Sequence, residues 1–145
     1  MRVPMKVDYG VRALVDLAQY DGGGPVHAAQ IAARQGIPEP YLDQVMAILS
    51  KSGFVRSRRG PQGGHMLARL PDDITLNMVM DTLEGTAAAL DCLDAPSECS
   101  LSDTCAQRGV WHSVEEAVQS VLSSTTISDL AHQQQQLAGR SGYQI

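Results

Sequence analysis

Apolar residues recur at helical spacing near the start of the chain, where Val7, Val11, Leu14, Val15 and Ala18 form one stripe. The stripe predicts an amphipathic helix ending near the Gly22-Gly-Gly-Pro25 break. On its other flank Asp8, Arg12 and Asp16 stand four apart and share a face, a spacing read as a solvated row of i,i+4 charges. A short helix of small residues is predicted over 28–35, and a third from Tyr41 to about Ser52, joined through Gly36-Ile-Pro-Glu-Pro40. The turn glycine permits a tight backbone and Pro40 suits a first helical position. Leu42, Val45, Met46 and Leu49 then give the third helix a core stripe and leave Tyr41, Gln44 and Ile48 facing outward. This is the grammar of a helix-turn-helix, whose second helix reads DNA.

Period-two patterning follows Gly53, and 54–69 reads as a two-stranded hairpin with a basic, glycine-rich tip. Arg56, Arg58 and Arg59 bring positive charge, while Gly60, Gly63 and Gly64 let backbone come close to a duplex, as a wing does. An arginine at such a tip enters the minor groove. Gln44 has the bidentate amide that pairs with adenine, and Tyr41 reaches phosphate. Arg56, Arg58, Arg59, Gly63 and His65 complete the candidate DNA-binding set.

After the Pro71-Asp-Asp turn, Thr75 caps a helix that runs through Met78, Val79 and Leu83 to Gly85. Further on, Val110, Val114, Ala117, Val118, Val121 and Leu122 make a wide apolar stripe on a helix of three or more turns. Such a helix lacks an obvious partner among three small helices, so pairing with a second copy is expected. The polar run 133–136 predicts a frayed end. The fold class is thus mainly α with a small β-hairpin. A winged helix-turn-helix domain spans 1–72, with its first helix also at the dimer interface. A cysteine loop and long dimerisation helix span 73–132, and a flexible tail 133–145.

Charge divides the same way. Residues 1–70 hold nine Lys/Arg against five Asp/Glu, and 71–145 hold two against eleven, so a basic half precedes a strongly acidic one. A nucleic-acid face is expected in the first half, and a cofactor or dimer contact in the second. The start of the chain lacks the apolar stretch of a signal peptide, and no later run approaches a membrane span, which places the protein in the cytoplasm.

Three cysteines, Cys92, Cys99 and Cys105, lie in one turn-rich stretch and are the chain's full complement. An odd number cannot all pair internally, and in a reducing compartment free or metal-bound thiolates are expected. Three thiols on one loop suit a single metal centre, and a fourth ligand is then missing.

These segments resemble the IscR/NsrR/RirA group of bacterial winged-helix regulators, often called the Rrf-two family, from Met5 to about Ala131. The likeness rests on Lys6-Val-Asp-Tyr-Gly-Val-Arg-Ala-Leu14, Ile37-Pro-Glu-Pro-Tyr-Leu-Asp-Gln44, Val55-Arg-Ser-Arg-Arg-Gly-Pro-Gln-Gly-Gly64, and three cysteines followed by Trp111 and an amphipathic helix. The resemblance implies a homodimeric transcription regulator bound to a palindromic operator in double-stranded DNA. It also implies an iron–sulfur cluster that senses redox state, nitric oxide, oxygen or cluster supply. One branch takes its fourth ligand from a histidine three residues after the last cysteine. Here that position is Arg108, which keeps its proton and cannot ligate. His112 lies seven beyond Cys105, and would need the helix to begin late. The nitric-oxide-sensing branch uses a carboxylate from the first helix of the opposite protomer, and Asp8 stands there. Asp8 therefore has two readings, solvated helix charge or cross-subunit ligand beside Cys92, Cys99 and Cys105. Further members place a histidine one turn on, where Arg12 stands instead, an ion-pair partner for Asp8 or Asp16. His65 departs from the aromatic residue usual after the double glycine, and is read as holding the strand or touching phosphate.

Three thiolates and a carboxylate complete a [4Fe-4S] cubane, with a [2Fe-2S] rhomb as the alternative. The leading expectation is a cluster-sensing regulator, a repressor before an activator. Its rival is a cluster-free regulator controlled by thiol oxidation or a protein partner. An enzyme built on a Cys105–His112 pair is not expected, since no orienting third group, nucleotide loop or acid pair stands out.

Overall fold

The computed structural model describes residues 2–85 and 90–142. Helix α1 (Met5–Gln19) lies at the centre and packs against α2 (Ala28–Gln35), α3 (Glu39–Lys51), α4 (Leu76–Glu84) and α7 (Ile127–Gly142). Its buried face, Val7, Gly10, Ala13, Leu14, Val15 and Leu17, is wider than its apolar stripe because it is covered from several sides. Gly10 marks the crossing with α4. A Cβ there would strike Leu83 and touch Val45, so the absence of a side chain sets how closely the helices approach.

Helices α2 and α3 meet through Gly36, in the left-handed region at φ 64°, with its N–H on the Ala32 carbonyl. Helix α3 begins at Glu39, so Pro40 falls at the second helical position, where a backbone N–H also has no partner. Leu42, Val45, Met46 and Leu49 are buried, and Tyr41 and Gln44 exposed, as the stripe predicts, whereas Ile48, expected to face outward, is half-buried against the core because its apolar side chain borders the stripe. Strands β1 (Val55–Arg58) and β2 (Gly64–Leu67) pair antiparallel, Val55 opposite Leu67 and Arg58 opposite Gly64. Val26, in the linker before α2, extends the sheet. It exchanges both backbone hydrogen bonds with His65, each 2.8 Å.

Thr75 caps α4 by accepting from the Met78 N–H at 3.3 Å, and Gly85 ends that helix. The cysteine segment contains the short helix α5 (Asp91–Asp94) and a 3-10 turn over Pro96–Glu98, and leads into α6 (Ala106–Ser124). The chain then turns back. Ile127 N–H donates to the Ile74 carbonyl at 2.8 Å, and α7 lies along α1 with Ile127 and Ala131 in the core. Residues 133–142, whose polarity predicts fraying, are the outer part of this helix. Thr126 and Asp129 start it with a reciprocal pair of side-chain caps, 2.9 and 3.0 Å. Of the expected tail, 143–145 lie outside the described residues.

Candidate functional site

The face formed by α3 and the hairpin presents Tyr41, Gln44, Arg56, Arg58 and Arg59, all exposed. The α3 pair is outward because the opposite stripe is buried. The arginines are outward because β1 alternates at its start and then leaves the core. Gly63 in the tip is buried, and a Cβ would strike the Arg58 carbonyl, so it shapes the tip by letting the chain fold onto β1. Gly64, at φ 143°, likewise lies against the Val26 backbone. His65 is half-buried, and Ser57 Oγ lies 2.8 Å from its Nδ1 across the hairpin. Burial lowers the His65 pKa below the ordinary histidine value, against an opposing pull from Asp43 on α3. Its backbone is committed to Val26 on one side and its ring to Ser57 on the other, so it braces the strand.

The i,i+4 charge row resolves into two unlike pairs. Asp8 takes two hydrogen bonds from Arg12, 3.0 and 3.1 Å, and both side chains are partly exposed. Arg12 also donates through Nη1 to the Gln35 carbonyl at 3.0 Å, the last residue before the helix-turn-helix glycine. Asp16 departs from the expectation of a solvated charge, being 0% exposed. It accepts from Arg34 at 2.9 and 2.8 Å and from Gln35 Nε2 at 3.0 Å. Arg34 in turn stacks on Tyr20 at 4.2 Å, and its pKa is raised chiefly by the hydrogen bond to Asp16. The sequence carried a weak signal of this: Asp16 sits between the apolar Val15 and Leu17, and the small-residue α2 holds one long charged side chain, Arg34.

The three cysteines are free and half-buried. Cys92 is on α5, Cys99 ends the 3-10 turn, and Cys105 is the N-cap of α6. Backbone N–H groups at a helix start favour anionic charge. Among the described residues no three His, Cys, Asp or Glu side chains are gathered so as to hold a metal ion. Because α6 begins directly after Cys105, His112 is carried about 10 Å up the helix, where it pairs with Glu116 at 3.6 Å. That separates it from Cys105 both as a ligand and as a catalytic partner. Two buried donors in the same segment, Ser102 Oγ and Arg108 Nε, have no hydrogen-bond partner. Three thiols beside two unsatisfied donors fit a group rich in anionic sulfur.

Residues 3–133 match the family described as Rrf2, iron-dependent transcriptional regulator. The chain belongs to the Rrf2 family. The HTH-type transcriptional regulator IscR of Pectobacterium atrosepticum is 33% identical over 137 residues, 94% of this chain and 83% of that one. Among solved structures, T. potens IscR superposes with a TM-score of 0.75 at 39% identity, covering 92% of this chain and 88% of the other. CymR of B. subtilis, the global cysteine regulator, gives a TM-score of 0.78 at 33% identity, covering 91% of this chain and 97% of the other. Rrf2 relatives are transcriptional regulators and not enzymes, and the mostly helical fold with its two-stranded wing is theirs. No described helix is long and apolar enough to cross a membrane.

Within the matched region, α6 has no buried residue. Val118 and Leu122 are half-buried, while Val110, Trp111, Val114 and Val121 are exposed. Two of the six stripe positions thus touch the rest of the chain, and the others face out.

Proposed function

We propose that this Rrf2 regulator is a cytoplasmic homodimer that binds a palindromic operator and carries an iron–sulfur cluster, chiefly as a repressor. The ligands in this reading are Cys92, Cys99 and Cys105, with Asp8 of the partner subunit as the fourth. The observation that carries it is the cysteine segment itself, with three free, half-buried thiols and unsatisfied buried donors beside them. The family description, iron-dependent, agrees. When bound, the cluster supplies a redox- and nitric-oxide-reactive group whose carboxylate-held iron is its weakest corner, because a hard oxygen suits that iron less than thiolate does. A four-iron cubane is the favoured form.

The chain's own residues supply the coupling. Asp8 is within one side chain of the helix-turn-helix turn, through Arg12 and the Gln35 carbonyl. An exposed ion pair of this kind is worth only about 0–1 kcal/mol, so a competing ligand readily draws Asp8 away. Arg12 then keeps the Gln35 carbonyl alone, and the seating of α2 and α3 on α1 changes with it. Tyr41 and Gln44 on α3 and Arg56, Arg58 and Arg59 on the wing form the DNA contact.

Anaerobic purification is the test. Coloured protein with iron and sulfide in each chain, and operator affinity that changes on cluster removal, is expected. Colourless protein whose DNA binding ignores chelation would sink the reading. A second reading, a cluster-free regulator governed by thiol oxidation or a protein partner, is favoured by the likeness to CymR, the global cysteine regulator.

A further inference from the structure

Three buried side-chain polar atoms among the described residues have no hydrogen-bond partner: Asn77 Oδ1, Ser102 Oγ and Arg108 Nε. Leaving such a group unpaired forfeits its hydration without return, and the cost is greater for a charged one. The latter two therefore point to an acceptor that the described residues do not supply. They sit together. Ser102 lies midway between Cys99 and Cys105, and alone among residues 100–104 it is buried, 7% exposed while its neighbours face out. Its backbone N–H donates to the Cys99 carbonyl at 3.3 Å, which folds the turn inward at this residue. Arg108 is one turn into α6, on the face of its N-cap Cys105, a spacing that brings side chains to roughly 5–6 Å between Cβ atoms.

Asn77 is not their missing acceptor. It is in the first turn of α4, where the Leu76 N–H is bonded to the Thr125 carbonyl at 3.0 Å, just past the far end of α6. That end is about 25 Å along the helix from Arg108. Glu98 and Asp103 in the cysteine segment are exposed. An acceptor for either donor lies against 99–108.

We propose that Ser102 Oγ–H and Arg108 Nε–H donate hydrogen bonds to anionic sulfur, thiolate or bridging sulfide, at the cysteine site. This rests on the cluster reading above. A neutral thiol accepts weakly, whereas an anionic sulfur facing a guanidinium makes a charge-assisted bond. Three thiolates and a carboxylate make a heavily negative ligand set, and Arg108 offsets part of that charge without coordinating. Hydrogen bonds to the sulfurs favour the reduced, more negative state and so raise the potential. Both residues are positioning residues that act through the ligands.

The experiment uses the full chain, reconstituted anaerobically, with Arg108→Leu, Arg108→Lys and Ser102→Ala. Iron and sulfide content of the unsubstituted protein comes first, and protein that takes up neither overturns the cluster reading and this inference with it. With cluster present, Arg108→Leu is expected to lower the midpoint potential, shift the iron–sulfur stretching frequencies, and weaken iron retention roughly tenfold. Ser102→Ala should act in the same direction, and Arg108→Lys should partly restore the potential. Should Arg108→Leu fail to fold by circular dichroism, Ser102→Ala, which loses one oxygen, decides. Potentials and frequencies matching the unsubstituted protein overturn the proposal. So does a weakened dimer with an unchanged potential, which would assign the missing acceptor to the second chain.

Discussion

Asp16 has no exposed surface and three donors from α2, so it fastens the first helix of the helix-turn-helix to α1. Asp16→Ala removes that carboxylate and leaves Arg34 and Gln35 without it. A loss of about 2–4 kcal/mol is expected, read as a lower urea midpoint with unchanged slope. This tie was only faintly legible in the sequence, because the i,i+4 rule sees only neighbours on one helix and Arg34 is 18 residues away. The Asp8–Arg12 pair, being local, was legible. His65 gives a pH prediction. Burial lowers its folded pKa, so its contribution to stability is present above the unfolded value and is lost as pH falls through it and on toward the folded one. Thermal stability is therefore expected to drop as pH falls below the ordinary histidine value of about 6.5, with a shallower drop in His65→Gln. Arg59 is exposed in the tip. Arg59→Ala should weaken operator binding and lower the slope of log affinity on log salt by about 1, measured by fluorescence anisotropy, while leaving bound iron unchanged.

At the level of elements, α1 to α4 and the hairpin follow from periodicity and turn residues, since each is a short amphipathic unit with a conspicuous stop. Gly36, Gly53 and Gly85 all stand at positive φ beyond a helix end. Two features escaped that reading. Val26 joins the sheet as a single residue, too short for any alternation to announce. Helix α7 is mostly polar and shows its packing only in Ile127, Leu130 and Ala131, although Thr126 and Asp129 carry its start signal. The cap pairing lowers the Asp129 pKa, through the Thr126 backbone N–H first, so this cap weakens in acid. Helix α6 is the reverse case, a legible stripe with most of its apolar face uncovered. Val121 is 63% exposed and Val110 62%. If a second copy covers that face, a buried valine is worth about 1.5 kcal/mol, and two-fold symmetry counts it twice. Val121→Glu should then raise the dimer dissociation constant by about a hundredfold, measured by sedimentation.

On the scale of the whole molecule, a basic head is joined to an acidic arm that bears the thiols. The charge division was plain in the sequence, whereas assembly of the cysteine site was not, because three thiols leave one ligand position open and the proposed fourth donor, Asp8, belongs to a second copy. Asp8→Ala tests that assignment. The dimer should stay folded while the cluster's absorbance changes and its loss in air quickens, and spectra and stability equal to the unsubstituted protein would remove Asp8 from the ligand set. The return of the chain through Ile127 and Ala131 onto α1 has a consequence during synthesis. The head emerges from the ribosome first, yet one side of α1 stays bare until residue 131 has cleared the exit tunnel. A chain truncated ahead of Ile127 keeps its recognition helix and wing but leaves that side of α1 uncovered, and is expected to unfold at a lower urea concentration than the full chain.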